Sequence, residues 1–484
     1  MRKKRNLELC GVSIMLKILK YGFIGWVILS ILTFPLYWPF ARMWWVFMPN
    51  VASPKFDPPA NVTEARLQDI EYLATLTNYD RSFSDQAQQE FGETLDTLRE
   101  TSETMSDAEF YLGLAAAIAL GNNGHTNLSY RPQYSEFNTI GARFYTFNDG
   151  VYVVSAAPDH ADAIGHRVKA IDGTPIEQLQ ASLQAYRGGN ETWRTLYSTL
   201  ILESPDLLNA AGFAASSDTL DLTLISGEGL PETVSFNGHD AENPGDLPWR
   251  SAWQSLVPDP ENPAYPDWTH AMDLAGAALP RYLTQPEQVL DYELENGGYY
   301  IRALPGFKAG EQSIKGAYKA ILADIPDASL DYLVVDFRLH DGGDYTKSMA
   351  FSKAAPKKVK EDGAIYIITG PNTFSAAIVT TAMLKYYSGE RGLIIGEQMG
   401  DREAFWAERG SSFRLPNTGY YVNYATGYHD WEKGCKGEPY CYTMNEMYEV
   451  PAGDLSPAVT LDQSFDSYQS GEDVVLNWIA ERTQ

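Results

Sequence analysis

Cysteine, basic charge and the familiar ligand motifs are all scarce in this chain of 484 residues. Its three cysteines, Cys10, Cys435 and Cys441, are too few and too scattered for a zinc-binding set. No His pair has the H-E-x-x-H spacing of a zinc site, and no G-x-x-x-x-G-K run offers a phosphate loop. We therefore expect no metal and no cofactor. The 37 basic residues face 63 acidic ones, a net charge of −26, which argues against nucleic acid and anionic lipid as partners of the main body. No internal repeat or low-complexity tract interrupts the chain. What is present suffices for packed cores: 44% hydrophobic and 13% aromatic residues, in a length that predicts two or three folded units.

The few basic residues are unevenly spread. Arg2, Lys3, Lys4, Arg5, Lys17 and Lys20 precede an apolar run from Tyr21 to Phe40. At ~1.5 Å per residue such a run matches a hydrocarbon layer roughly 30 Å thick. Few positive charges follow, so the basic end stays cytoplasmic and the rest crosses. A cleaved leader is the rival reading, but the run is long and no clear small-x-small site ends it. The expectation is a cytoplasmic tail over 1–20, an uncleaved single-pass anchor over 21–42 and a Pro-rich linker over 43–60. The body would face the periplasm from an inner (cytoplasmic) membrane. An oxidising compartment would let Cys435 and Cys441 close the short loop C-K-G-E-P-Y-C as a disulfide.

Residues 61–130 read as a helical unit. Ser106-Asp-Ala-Glu109 is a capping-box pattern, and the helix it opens stops at Gly121-Asn-Asn-Gly124, leaving His125 on a loop. Over 131–240 the pattern is β-rich, with alternation from Arg143 to Ser155, an Asp-Gly turn at 172–173 and a strand from Thr219 to Leu224. The stretch 241–297 is rich in Asp, Asn, Pro and Trp and reads as an irregular connection. From 298 to 484, short β-branched runs alternate with helical segments, the signature of an α/β layer fold with strands covered on both faces.

Three loops in this order carry reactive or small residues. Ser375 lies between a predicted strand ending at Thr369 and a predicted helix from Ala376, beside free amides and the positive end of a helix dipole. That position suits a nucleophile, and equally a plain N-cap. Gly342 and Gly343 follow the strand that ends in Asp336-Phe-Arg338, where backbone amides can turn toward a ligand, or simply make a tight turn. His125 offers an imidazole that titrates near neutrality, one of seven His in the chain.

Together, Asp336-x-Arg338-x-x-x-Gly-Gly, Thr373-Phe-Ser375-Ala-Ala and Leu393-Ile-Ile-Gly396-Glu397 resemble the carboxy-terminal-processing (tail-specific) serine peptidases. Gly-His125-Thr is similar to the branch containing the tricorn core and the photoreceptor retinoid-binding repeats. Asp454-Leu-Ser-Pro457 resembles the family's C-terminal Pro segment, and Gly165 to Ile176 part of a PDZ-type domain. The resemblance implies a crotonase-like (ClpP-like) α/β core, a helical subdomain, a PDZ-like insert and a peptide or protein substrate. It implies Ser375 as nucleophile, His125 as base, and an oxyanion hole from the amides of Ala376 and of Gly342 or Gly343. Gln398-Met-Gly-Asp-Arg402-Glu contains no Lys where the Ser–Lys branch has one, and Arg cannot act as a base. Gly124 stands where the tricorn branch has Ser before its His, and His340 where its turn has Asn. Glu449 and Glu432 are the candidates for the orienting acid. Two other readings stay open: a catalytically inactive scaffold binding a small hydrophobic ligand, and a tethered peptide-binding adaptor.

Overall fold

The computed structural model describes residues 20, 23, 30, 33–34, 37–239, 252–258, 267–285, 288–304, 313–408 and 410–484. Most of the apolar run from Tyr21 to Phe40 lies outside them. Among the described residues no helix is long and apolar enough to cross a membrane. Residues 37–47 are helical, and Phe47 is fully buried, its ring 5.1 Å from that of Tyr442. Arg42 on this helix pairs with Glu446 and donates to the Cys441 carbonyl at 3.1 Å. The stretch 43–60 therefore begins as part of the core rather than as a free spacer, because an aromatic ring gains more from burial than a linker position offers.

Three helices open the body: α1 (Val62–Leu73), α2 (Asp85–Thr101) and α3 (Asp107–Ala119). Ser106 and Glu109 form the reciprocal capping box at the start of α3. The β-rich region follows with β1 (Ala142–Phe147), β2 (Gly150–Ala156) and β3 (Arg167–Ile171), then α4 (Ile176–Leu183), α5 (Glu191–Ile201) and α6 (Pro205–Ala210). β4 (Thr219–Ile225) and β5 (Pro231–His239) complete an antiparallel sheet in the order β5-β4-β3-β2-β1. Asp172 and Gly173 both take positive φ (45° and 78°) in the turn after β3, as a two-residue hairpin requires. Helices and sheet share one apolar core that includes Leu112, Phe144, Val153, Leu179 and Leu222.

The second unit is a six-stranded sheet of β6 (Leu290–Leu294), β7 (Gly298–Arg302), β8 (Leu330–Asp336), β9 (Val359–Thr369), β10 (Gly392–Gly396) and a short last strand, Val459–Thr460. β6 is antiparallel to β7 and every other pairing is parallel. The strand β6 falls in the stretch read from sequence as irregular; its Leu-Asp-Tyr-Glu-Leu alternation is that of an edge strand with one face wet. Between the strands run α7 (Ile314–Asp324), α8 (Met349–Ala354) and α9 (Ala376–Ser388). Ile301, Leu333, Val335, Ile365 and Ile367 pack on one face against Tyr318, Phe351 and Met383. Tyr300, Val334, Tyr366 and Ile368 pack on the other against Val475 and Ile479 of α10 (Val474–Arg482). With both faces covered, the strands read as continuous apolar runs. The parallel strands end together, so the turns after β8, β9 and β10 share one edge of the sheet, where loops of such folds meet ligands.

Candidate active site

Ser375 occupies the junction from β9 to α9. The loop before it is tied across the sheet edge: Thr373 donates its hydroxyl to the Phe337 carbonyl (3.0 Å), and the Phe374 amide donates to the His340 carbonyl (3.2 Å). Ser375 itself stands at φ 55°, ψ −117°, a conformation that side chains other than hydrogen resist at about 1–3 kcal/mol. It sits at the N-cap position but makes no capping hydrogen bond. The hydroxyl is thus not held by its own helix, which removes the plain capping explanation for a serine here. The Ala376 amide, at the first helical position, has no acceptor within α9 by helix geometry.

The turn after β8 folds over this serine. Gly342 and Gly343 have φ of 133° and 112°. A Cβ on Gly342 would lie 3.1 Å from the Ser375 Cβ and 3.5 Å from its hydroxyl oxygen, so glycine permits both the turn and the approach. The Gly342 amide donates to Nδ1 of His340 at 3.3 Å. Burial lowers the His340 pKa to about 3, so the ring is neutral and its proton belongs on Nε2. Of the expected oxyanion donors, Gly342 is therefore engaged locally, which leaves the amides of Gly343 and Ala376. Arg338 of the same turn does structural work: it is gripped by Asp336 (2.6 Å) and Asp473 (2.7 Å), both buried.

His125 enters from the helical unit. Its loop is pinned by Thr126, whose hydroxyl donates to buried Asp80 at 2.6 Å, while Asp80 also accepts from the Ala425 amide at 2.7 Å. The imidazole lies between two phenyl rings, 4.5 Å from Phe374 and 5.2 Å from Phe405, near parallel to both. Stacking on Phe374, the residue before Ser375, brings the ring to the serine loop from a distant part of the chain.

An acid that sequence reasoning passed over completes the cluster. Asp401, on the loop between β10 and β11 (Ala404–Ala407), is buried to 1% side-chain exposure and holds Oδ2 3.8 Å from Nδ1 of His125. Its other oxygen accepts the Arg402 amide at 2.9 Å. Burial pushes its pKa up to about 7. Gly124 is required by this approach, since a Cβ there would come within 2.8 Å of both the Asp401 carboxylate and the Phe374 ring. The run Gln398–Glu403 contains Asp401, but no local pattern there marks an aspartate that packs beside an imidazole from a distant part of the chain. The two acids named from sequence stand elsewhere: Glu449 pairs with Lys436 (3.1 Å) and Glu432 with Lys433 (3.2 Å), both at the surface. Glu432 lies on the exposed turn after β12 (Gly427–Asp430), and Glu449 at the exposed end of the helix Thr443–Tyr448, so nearness in the chain to the C-terminal Pro segment does not bring either to the imidazole.

A cavity of about 340 Å³ opens beside Asp401, lined by Ser82, Asn122, Arg402, Phe405 and Trp406 among others. Cys435 and Cys441 are joined by a disulfide that closes the loop after β12. Among the described residues no group of three His, Cys, Asp or Glu side chains is disposed to hold a metal ion.

The sequence matches no family model and no curated protein. Solved structures do match in fold. Mature CPAF complexed with lactacystin superposes with a TM-score of 0.52 at 13% identity, covering 87% of this chain and 98% of that one. Mature CPAF alone gives 0.52 at 12%, covering 87% and 97%. The photosystem II D1 C-terminal processing protease (0.35, 13%, covering 85% and 98%) and the tricorn protease (0.36, 14%, covering 88% and 37%) align more loosely, too loosely to carry an argument. At these identities the likeness establishes the fold, which is the α/β fold of CPAF over nearly its whole length.

Proposed function

We propose that this chain is a serine peptidase of the carboxy-terminal-processing type, with Ser375 as nucleophile and His125 as general base. One observation carries the reading: a serine held at φ 55° on a strand-to-helix turn, uncapped, with a glycine turn closed over it. Strain of this kind persists where the surrounding structure enforces it, and it aims a hydroxyl out of the sheet. In the proposed reaction Ser375 attacks a peptide carbonyl and His125 takes the hydroxyl proton. Asp401 orients the imidazole and balances its charge, and the amides of Ala376 and Gly343 hold the oxyanion. His125 then returns the proton to the leaving amine, and water repeats the cycle on the acyl enzyme. The 3.8 Å gap between His125 and Asp401 is longer than a hydrogen bond, as substrate-free sites often are.

A fluorophosphonate probe tests this directly. Labelling of the purified protein, lost in Ser375→Ala, together with cleavage of a peptide library, supports the reading; absence of both overturns it. The long His125–Asp401 spacing favours one second reading, an inactive scaffold that binds peptides or a small hydrophobic ligand on the same fold. In that case Ser375→Ala leaves ligand capture unchanged. We further propose a single-pass anchor over residues 21–42 with the body on the extracytoplasmic side, resting on the basic run before the apolar segment. Recovery of the full chain in the membrane fraction, resistant to salt and alkali, tests it.

A further inference from the structure

The helix over residues 37–47 enters the body without slack. Phe47 is fully buried, and its carbonyl accepts the Thr426 hydroxyl at 2.6 Å. Met43 and Val46 pack against the same core as Phe47. The chain beyond stays tied down: the Ser411 amide donates to the Pro49 carbonyl (3.3 Å), the Val51 amide to the Ser411 hydroxyl (2.8 Å), and the Tyr72 hydroxyl to the Ala52 carbonyl (3.0 Å). Arg42, two residues past the end of the apolar run, is already fixed to the body through Glu446 and the Cys441 carbonyl.

Much of the rest of this helix is uncovered. Tyr37, Trp38, Phe40, Trp44 and Trp45 are all exposed, Trp45 to 85%. Single apolar side chains on a surface are ordinary, but five aromatic rings within one short helix make a patch that calls for a cover. Trp and Tyr in such a place favour the headgroup layer of a bilayer. By helix rise, Trp44 and Trp45 stand about 6–8 Å beyond Phe40, and Phe47 about 10 Å beyond it. A headgroup layer is roughly 5–8 Å deep, so the body begins where the headgroups end.

The segment of the body beside Arg42 suits that neighbour. Between Cys435 and Glu449 the charges nearly cancel: Glu446 is matched by Arg42 and Glu449 by Lys436, which leaves Glu438 as the one further charge. In a molecule of net charge −26, a near-neutral face can approach phospholipid without the repulsion that a strongly acidic one would meet. Met447, next to Glu446, is 53% exposed, and the disulfide closes the loop that precedes its helix.

We propose that the body is seated on the headgroup layer of a zwitterionic phospholipid bilayer, held there by the stiff joint at Arg42 and Phe47, with the segment Cys435–Glu449 facing the lipid. The anchor is then a bracket rather than a tether. The inference rests on the anchor proposed for residues 21–42 and needs no peptidase activity.

Neutron reflectometry on the purified full chain, reconstituted into a supported phosphatidylcholine bilayer, tests the seat. We expect the protein layer to begin at the headgroups, with no water-filled gap. A Gly-Ser spacer of about sixteen residues inserted after Ala41 leaves Arg42 and Phe47 in place and should open a gap of about 20 Å. A gap in the wild type overturns the proposal and leaves the anchor standing. Contact in both proteins also overturns it, since adhesion would then owe nothing to the joint. A chain that salt and alkali wash from the bilayer overturns the seat and the anchor together.

Discussion

A hydroxyl held in a backbone conformation fit for glycine predicts opposite effects on stability and activity. Ser375→Gly should relieve the strain at φ 55° and raise stability by about 1 kcal/mol while abolishing hydrolysis, measurable by thermal denaturation alongside a peptidase assay. Ser375→Ala should lower kcat/KM by about 10⁴-fold or more with Tm little changed. Asp401 predicts a pH profile. Its pKa is raised from the ordinary 3.8 to about 7 by burial, so it loses its charge as pH falls through about 7. Activity that needs the charged acid should rise through about pH 7 in the wild type, and Asp401→Asn should flatten that limb at a level about 10²-fold lower or more. The stability effect has the reverse sign. A carboxyl whose folded pKa is raised favours the folded state below about pH 4, an advantage lost as pH rises to about 7. Asp401→Asn should therefore be the more stable protein above pH 7, and no more stable than wild type near pH 4.

Among the elements, α10 is joined to the serine turn by charge. Asp473 caps α10 through the amides of Val475 and Leu476, both at 3.1 Å, and grips Arg338, which Asp336 holds from the end of β8. The Tyr300 hydroxyl completes the cluster, donating to Asp336 at 2.7 Å. Arg338→Met leaves two buried carboxylates facing each other and should destabilise the fold by about 3–5 kcal/mol, read from urea unfolding. The Asp-x-Arg run was legible as a motif, but its structural job was not, because Asp473 lies far along the chain. Elements with strong local signals were legible. The capping box at Ser106, the Asp172-Gly173 turn and the apolar runs of β8 to β10 are each written within a few residues. The edge strand β6 escaped notice, since five residues of alternation amid Asp, Asn and Pro resemble a loop until β7 pairs with them.

At the scale of the whole molecule, the two units meet where the sheet edge faces the helical loop, and the aromatic series Trp193, Phe374, His125, Phe405 and His429 runs through that junction. The disulfide backs it from behind β12, whose His429 is paired in register with Phe405. Reduction of Cys435–Cys441 closes off about 2 kcal/mol of stabilisation, to be seen as a lower urea midpoint in dithiothreitol, since the loop is short. The sequence by itself determined the α/β character of the second unit, the position of Ser375 between a strand and a helix, and the glycine turn, because each depends on periodicity or backbone freedom within a few residues. Only the tertiary structure decided that His125 stacks on the serine loop and that Asp401 rather than Glu449 or Glu432 stands beside it. Those are facts of packing between segments far apart in the chain, and local propensity carries no information about which distant side chain arrives.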